Sequence, residues 1–344
     1  MRLVIFKLNK LGDNVVFVPV VQALRRRFPD WRITLLTTPS EAELYGGPLA
    51  PDEVLVFPKQ AFDKAYRRPW VLARWYREVR ARHPDACLVP FDQGRVAHLL
   101  AKLSGAPTRV GAKLNPPRIS GSLTKEVPVP GDGSAVTWSW SMARALAQGA
   151  GAADWEGEPQ PPDLGHLLAK EARRTGTRRR VVVHAGASGP LNQWSVENFA
   201  AVAESLAHDC EVDWISHGGA TGPAPRGTND RPVATVRELA RAISGADLFL
   251  GNNSGPMHLA NALGCAGVAV TGSSARGWDP YWHRERWTVL RHPSLACAPC
   301  EAIDRRPAAC ANLGSPMACM TYWTPGNVEA ACRERLKMRD SIPA

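Results

Sequence analysis

Apolar residues in the first third of the chain form short unbroken runs, separated by stretches where they recur every three or four positions. Residues 2–8 are one such run, and residues 15–28 repeat apolar positions at helical spacing until Pro29 stops them. Residues 33–37, 54–57 and 86–90 read as further strands, and helices are predicted at 14–28, 40–45 and 69–82. Strands alternating with helices predict a parallel, doubly wound sheet. The alternation lapses at about 150–165, where GAADWEGEPQPPDL reads as a linker, and then resumes. A helical piece at 164–175 is followed by strands at 180–184, 212–215 and 247–251 and helices at 194–206 and 236–243. The fold class expected is therefore α/β with two Rossmann-like domains, residues 1–160 and 161–325, and a C-terminal helical tail at 326–344.

Three turns between these elements carry candidate chemistry. In 247–272, DLFLGNNSGPMHLANALGCAGVAVTG, Pro256 fits the first helical position, Ser254 and Gly255 sit at the cap, and His258 falls in the first turn. Unpaired N–H groups, a hydroxyl and the positive end of a helix dipole make a phosphate site there, although a strand-to-helix turn that binds nothing has the same local pattern. After the strand at 180–184 comes HAGASG, in which His184, Gly186 and Ser188 form a small-residue loop that lets a diphosphate approach the backbone. Asp13, at the end of the first strand and near a helix N-terminus, suits either a helix cap or a general base. Asp92, in the loop after the fourth strand, is a cap or an acceptor contact. Residues 104–133 are either an acceptor-binding loop or an irregular connection.

Length and composition narrow the classes. A chain of 344 residues fits two domains, and 44% hydrophobic residues suffice for ordinary cores. No apolar run approaches the roughly 20 residues of a membrane span, so a soluble, cytoplasmic protein is expected. The formal charge of +10, with arginine clusters at 25–27 and 178–180, suits an acidic partner, whether phosphorylated glycolipid, nucleotide or nucleic acid; solvated arginines would give the same count. Of eight cysteines, Cys297, Cys300, Cys310 and Cys319 fall within one short stretch. In a cytosolic chain that spacing suggests a structural zinc or iron on four thiolates, with buried or fortuitous cysteines as the alternative.

NNSGPMHLANALG, together with KLNKLGDNVVFVPVVQALRRRFPDWRITLLT at 7–37, VVVHAGAS at 181–188 and WSVENFAAVAESL at 194–206, resembles the signature segments of the heptosyltransferase family, in the family's order. The resemblance implies the GT-B fold, two such domains facing across a cleft, and an inverting transfer of heptose from an ADP-linked donor. It implies Asp13 as the base and His184, Gly186, Ser188, Asn253, Ser254, Gly255 and His258 as donor-binding residues. Lys113, Arg118 and Lys125 are implied contacts to a phosphorylated acceptor. The family's protein-modifying branch holds iron on four cysteines, which the cluster at 297–319 resembles.

The chain has no D-x-D pair, so a mechanism without a catalytic metal is expected. Two departures stand out. The lysine that usually precedes the family's tryptophan is missing, because that stretch reads Asn192-Gln193-Trp194-Ser195, and the aspartate of NDSGPMH is Asn253. Arg276 is a substitute cation. The acceptor is left open between a glycan, a lipopolysaccharide core, a protein and a secondary metabolite. No nucleic-acid partner is expected, and peripheral membrane contact is left open. A nucleotide-sugar epimerase on the same fold and a silent, metal-stapled binding protein are the rival readings.

Overall fold

The computed structural model describes residues 1–58, 68–91, 94–151, 155, 157–168, 178–217, 221–303, 305 and 307–339. The chain divides into two compact units, Met1–Asp163 and Leu164–Ala344. Each is built on a six-stranded sheet.

The first unit runs β1 (Arg2–Lys7), α1 (Leu11–Val15), α2 (Val18–Arg27), β2 (Arg32–Thr37), β3 (Glu53–Val56), α3 (Pro69–Arg80), β4 (Ala86–Val89), α4 (Arg95–Leu103), β5 (Thr108–Ala112), β6 (Lys125–Val127) and α5 (Ala135–Gly149). Its strands lie in the order β3-β2-β1-β4-β5-β6, every neighbour parallel. Helices cover both faces of such a sheet, so its inner strands are apolar throughout rather than alternating. β1 accordingly buries every residue after Arg2. On one face Phe6, Val89 and Leu100 pack with Trp75 and Val79, which α3 presents one turn apart.

The second unit runs β7 (Arg180–His184), α6 (Val196–Leu206), β8 (Glu211–Ser216), β9 (Asn229–Pro232), α7 (Val236–Ile243), β10 (Leu248–Asn252), α8 (Gly255–Ala262), β11 (Gly267–Thr271), β12 (Trp287–Arg291), α9 (Ala318–Thr321) and α10 (Pro325–Arg339). The order β12-β11-β10-β7-β8-β9 repeats the winding of the first sheet. Thr235 and Glu238 close a capping box on α7, and Ser195 caps α6. The helical tail docks on its own unit: Val328, Cys332 and Leu336, four residues apart on α10, join the core of Trp194, Phe199, Trp214 and Leu250.

In both sheets the strand order reverses at the middle, between β1 and β4 and between β7 and β10. Open α/β sheets take ligands at the carboxyl ends of the strands flanking that reversal. Asp13 follows β1, the 184–189 loop follows β7, and Ser254 follows β10.

Three predictions about local structure are corrected. The helix expected over 14–28 is two helices, since Pro19 in the first turn of α2 supplies no N–H and the chain restarts there. The irregular stretch 104–133 carries β5 and β6, which are short; β6 is a largely exposed edge strand and β5, beside it, is TRVGA, so neither shows an apolar run. Residues 42–45 form a single 3-10 turn; of the helix expected at 164–175 the described part is a 3-10 turn at Gly165–Leu167 followed by extended Leu168, and 169–177 lie outside the described residues. Among the described residues no helix is long and apolar enough to cross a membrane.

Candidate functional site

The carboxyl rim of the second sheet is organised by Asn252, the last residue of β10. Its buried amide donates from Nδ2 to the carbonyls of Ala185, at 2.9 Å, and Gly186, at 3.3 Å, while its Oδ1 accepts the Trp194 N–H at 2.9 Å. One side chain thus ties the loop after β7 and the start of α6 to the end of β10. Trp194 is itself fixed, edge-on to Phe199 at 4.7 Å between ring centres and with its indole N–H on the Trp323 carbonyl at 3.0 Å. A Cβ at Gly186 would stand 2.9 Å from the His184 imidazole, so only glycine leaves that ring where it is.

Ser254 is the N-cap residue of α8, yet its side chain makes no cap hydrogen bond. The hydroxyl is buried and, among the described residues, has no hydrogen-bond partner. Buried hydroxyls are nearly always paired, and the first-turn N–H groups of α8 beside it have no partner within the helix. Orphan donors at the positive end of a helix suit an anion. Of the residues expected to meet the donor, Asn253, Ser254, Gly255 and His258 share this turn, while His184 and Gly186 lie at the neighbouring end of β7, where Gly251 pairs with His184. Ser188 is further out on the same loop, and exposed.

Both imidazoles are neutral. Burial, helped for His184 by the charge of His217, depresses each of them to about 4. His258 also packs edge-on against Trp278, 5.9 Å between ring centres. They can share hydrogen bonds with a ligand but bring it no positive charge near neutral pH. An unfolded imidazole takes up its proton near 6.5, whereas these two resist protonation until about 4, so acid favours the unfolded chain across that interval. The melting temperature is expected to fall as pH drops from about 6.5 toward 4; a flat profile there would contradict the neutral, buried imidazoles.

The two departures from the family pattern have structural work. Asn192 accepts at Oδ1 from the Ser273 hydroxyl at 2.8 Å and the Ser274 N–H at 3.1 Å, and so anchors the segment that leaves β11. Asn253 donates from Nδ2 to Asp279 Oδ1 at 3.3 Å. Asp279 is in turn paired with Arg291 at 2.6 Å. Arg276, the expected substitute cation, is exposed in the 3-10 turn Arg276–Trp278, near enough that its charge acts on Asp279.

In the first unit Asp13 is buried in the single turn of α1, and it does not cap that helix: Lys10 occupies the N-cap. Asn14, next to it, donates to the carbonyls of Asn9 and Lys10 and accepts the Tyr45 hydroxyl at 2.7 Å. Burial and then the charges of Glu41 and Asp13 push the Tyr45 phenol well up. Sequence reasoning missed Lys7, whose ammonium is buried at the end of β1, 3.1 Å from Asn9 Oδ1 and about equally far from the Phe17 and Phe91 rings, at 5.2 and 5.0 Å. A lysine inside an otherwise apolar strand was the available signal. Lys113, just past β5, and Arg118 are exposed on one loop. Lys125 opens β6 and turns its ammonium to the Ala145 carbonyl on α5, 3.5 Å away, rather than to that loop. Asp92 lies outside the described residues.

The four-cysteine ligand set is not assembled. Among the described residues no group of three or more His, Cys, Asp or Glu side chains could hold a metal ion. Cys297 and Cys300 are exposed, Cys310 is half-buried and takes the Met317 N–H at 3.5 Å, and Cys319 is buried. Burial and then the other thiols' charges raise Cys319, so the four are neighbours without forming a shell, and no step is derived from a metal there.

The family model for glycosyltransferase family 9 (heptosyltransferase) matches residues 72–306. A lipooligosaccharide heptosyltransferase 2 of Campylobacter jejuni is 38% identical over 66 residues, a match spanning 19% of this chain and 20% of that relative. Among solved structures, a glycosyl transferase family 9 protein from Veillonella parvula superposes with a TM-score of 0.72 at 18% identity, covering 98% of this chain and 97% of that one. The E. coli heptosyltransferase WaaC with ADP-2-deoxy-2-fluoro heptose gives 0.71 at 16% identity, over 97% and 99% of the two chains.

Proposed function

The chain belongs to glycosyltransferase family 9, the heptosyltransferases, and from that premise we propose that it transfers a heptose from an ADP-linked donor to an acceptor hydroxyl with inversion. Its two doubly wound units are the GT-B fold. In this proposal the second unit binds the donor. The diphosphate meets the first-turn amides of α8, the Ser254 hydroxyl and the amides of the Gly186–Ser188 loop, with neutral His184 and His258 as hydrogen-bonding partners. The departing ADP is stabilised by these oriented donors and by Arg276, in a chain without a D-x-D pair. Asp13 in the first unit takes the proton of the attacking hydroxyl. Lys113 and Arg118 offer charge to an anionic acceptor, and a cytoplasmic site of action belongs to the same proposal.

The observation that carries the donor assignment is the buried Ser254 hydroxyl at the N-cap of α8, without a partner among the described residues and beside the reversal of strand order. Thermal denaturation with ADP, GDP, UDP and ADP-heptose tests it. A ligand at one hundred times its dissociation constant adds about 2.7 kcal/mol to stability. ADP and ADP-heptose are expected to raise the melting temperature, and GDP and UDP to do so less. No shift with either adenine nucleotide would overturn the donor site. Free ADP released in step with glycosylated acceptor marks transfer, whereas an epimerase would return a rearranged sugar still attached to its nucleotide.

A further inference from the structure

The segment 273–279 crosses the rim of the second sheet and is tethered at both ends. At one end Asn192 holds Ser273 and Ser274. At the other, Trp278 lies against the His258 ring and Asp279 accepts from Asn253, the residue immediately before the α8 cap. Arg291, the last residue of β12, spans the segment from below: one guanidinium nitrogen donates to the Ser274 carbonyl and another to Asp279 Oδ1, both at 2.6 Å.

We propose that Asp279, positioned by Arg291 and Asn253, is the carboxylate through which this chain recognises hydroxyl groups of the donor sugar. The inference rests on the donor site proposed above and deepens it. Both hydrogen bonds to Asp279 fall on Oδ1, and among the described residues none falls on Oδ2. The Arg291 side chain is 8% exposed and that of Asp279 24%, so the cation is sealed in and the anion is left partly open. The Oδ2 oxygen thus keeps acceptor capacity at the rim that a hydroxyl group can use. Burial does work against this carboxyl, raising it in opposition to Arg291. The open oxygen repels a diphosphate and suits a polyol, whose hydroxyls donate to an ionised carboxylate in short, charge-assisted bonds. At position 253 the family motif carries an aspartate and this chain an asparagine; here the anion enters from the 273–279 segment and the asparagine orients it.

The test compares affinities for ADP, ADP-heptose and deoxy analogues of ADP-heptose in the full chain and in Asp279→Asn, which keeps the shape and the bond from Arg291. ADP affinity is expected to stay within about twofold, while the advantage of ADP-heptose over ADP falls about tenfold to a hundredfold, as for a hydrogen bond to a charged group. In the unsubstituted chain at least one deoxy analogue should show a similar loss, which needs no variant and holds even if Asp279→Asn fails to fold. An unchanged ADP-heptose to ADP ratio in the variant, or deoxy analogues that all bind like the parent, overturns the inference. If the unsubstituted chain binds no ADP at all, it is the donor-site reading that fails.

Discussion

Asp13→Asn is expected to lower kcat about 10²–10⁴-fold, the usual contribution of a general base, while ADP binding and melting temperature stay close to those of the natural sequence. The side chain is buried in α1 and close enough to Tyr45 for its charge to act on the phenol. Asparagine has the same shape and cannot accept the proton of an attacking hydroxyl. A helix cap would predict the opposite pattern, a loss of about 1 kcal/mol in stability with turnover intact; the structure speaks against it, because Lys10 and not Asp13 is the N-cap residue. The measurement is ADP release with whichever acceptor supports turnover by the natural sequence, alongside a binding curve for ADP. Turnover above a tenth of the natural rate would remove Asp13 from the role of base.

The parts of the fold that could be read from the sequence are those where burial is complete. β1, β7 and β10 have buried apolar stretches, LVIF, VVV and LFL, and their carboxyl ends and the turns that follow carry Asp13, His184 and Ser254. β5, β6 and β9 stand at or near sheet edges, and their sequences TRVGA, KEV and NDRP have no pattern that separates them from loops. The candidate site divides in the same way. Residues that act through local backbone geometry, such as Ser254 at a cap, are visible from their neighbours in sequence. Asn252, Asn192 and Asp279 act on segments 26 to 82 positions away, and nothing local distinguishes Asn252 from Asn253. The cysteines show the converse limit: spacing gives the number of candidate ligands but not their geometry, and among the described residues no three of them form a group that could hold a metal ion.

Asn252→Leu is therefore expected to have the largest effect on stability of any substitution at the rim. Leucine has a similar volume but leaves the buried Trp194 N–H and Gly186 carbonyl without the amide that pairs them, and leaves the Ala185 carbonyl to the Gln193 Nε2 donor alone. Each buried group left unpaired costs about 1–3 kcal/mol, so the two together cost of order 2 kcal/mol or more, a large part of the margin of an ordinary domain. Because two of the three bonds hold the 184–189 loop to the end of β10, the surviving folded fraction should also lose most of its affinity for ADP. Asn252→Asp separates the two contributions. An ionised carboxylate still accepts the Trp194 N–H but can donate to neither carbonyl, so it should preserve the start of α6 and loosen the loop after β7, which keeps only the Gln193 bond to Ala185. Chemical denaturation of both variants, with ADP binding measured on each, checks this: a leucine variant as stable as the natural chain, or one that binds ADP equally well, would mean that the loop is held by something other than this amide.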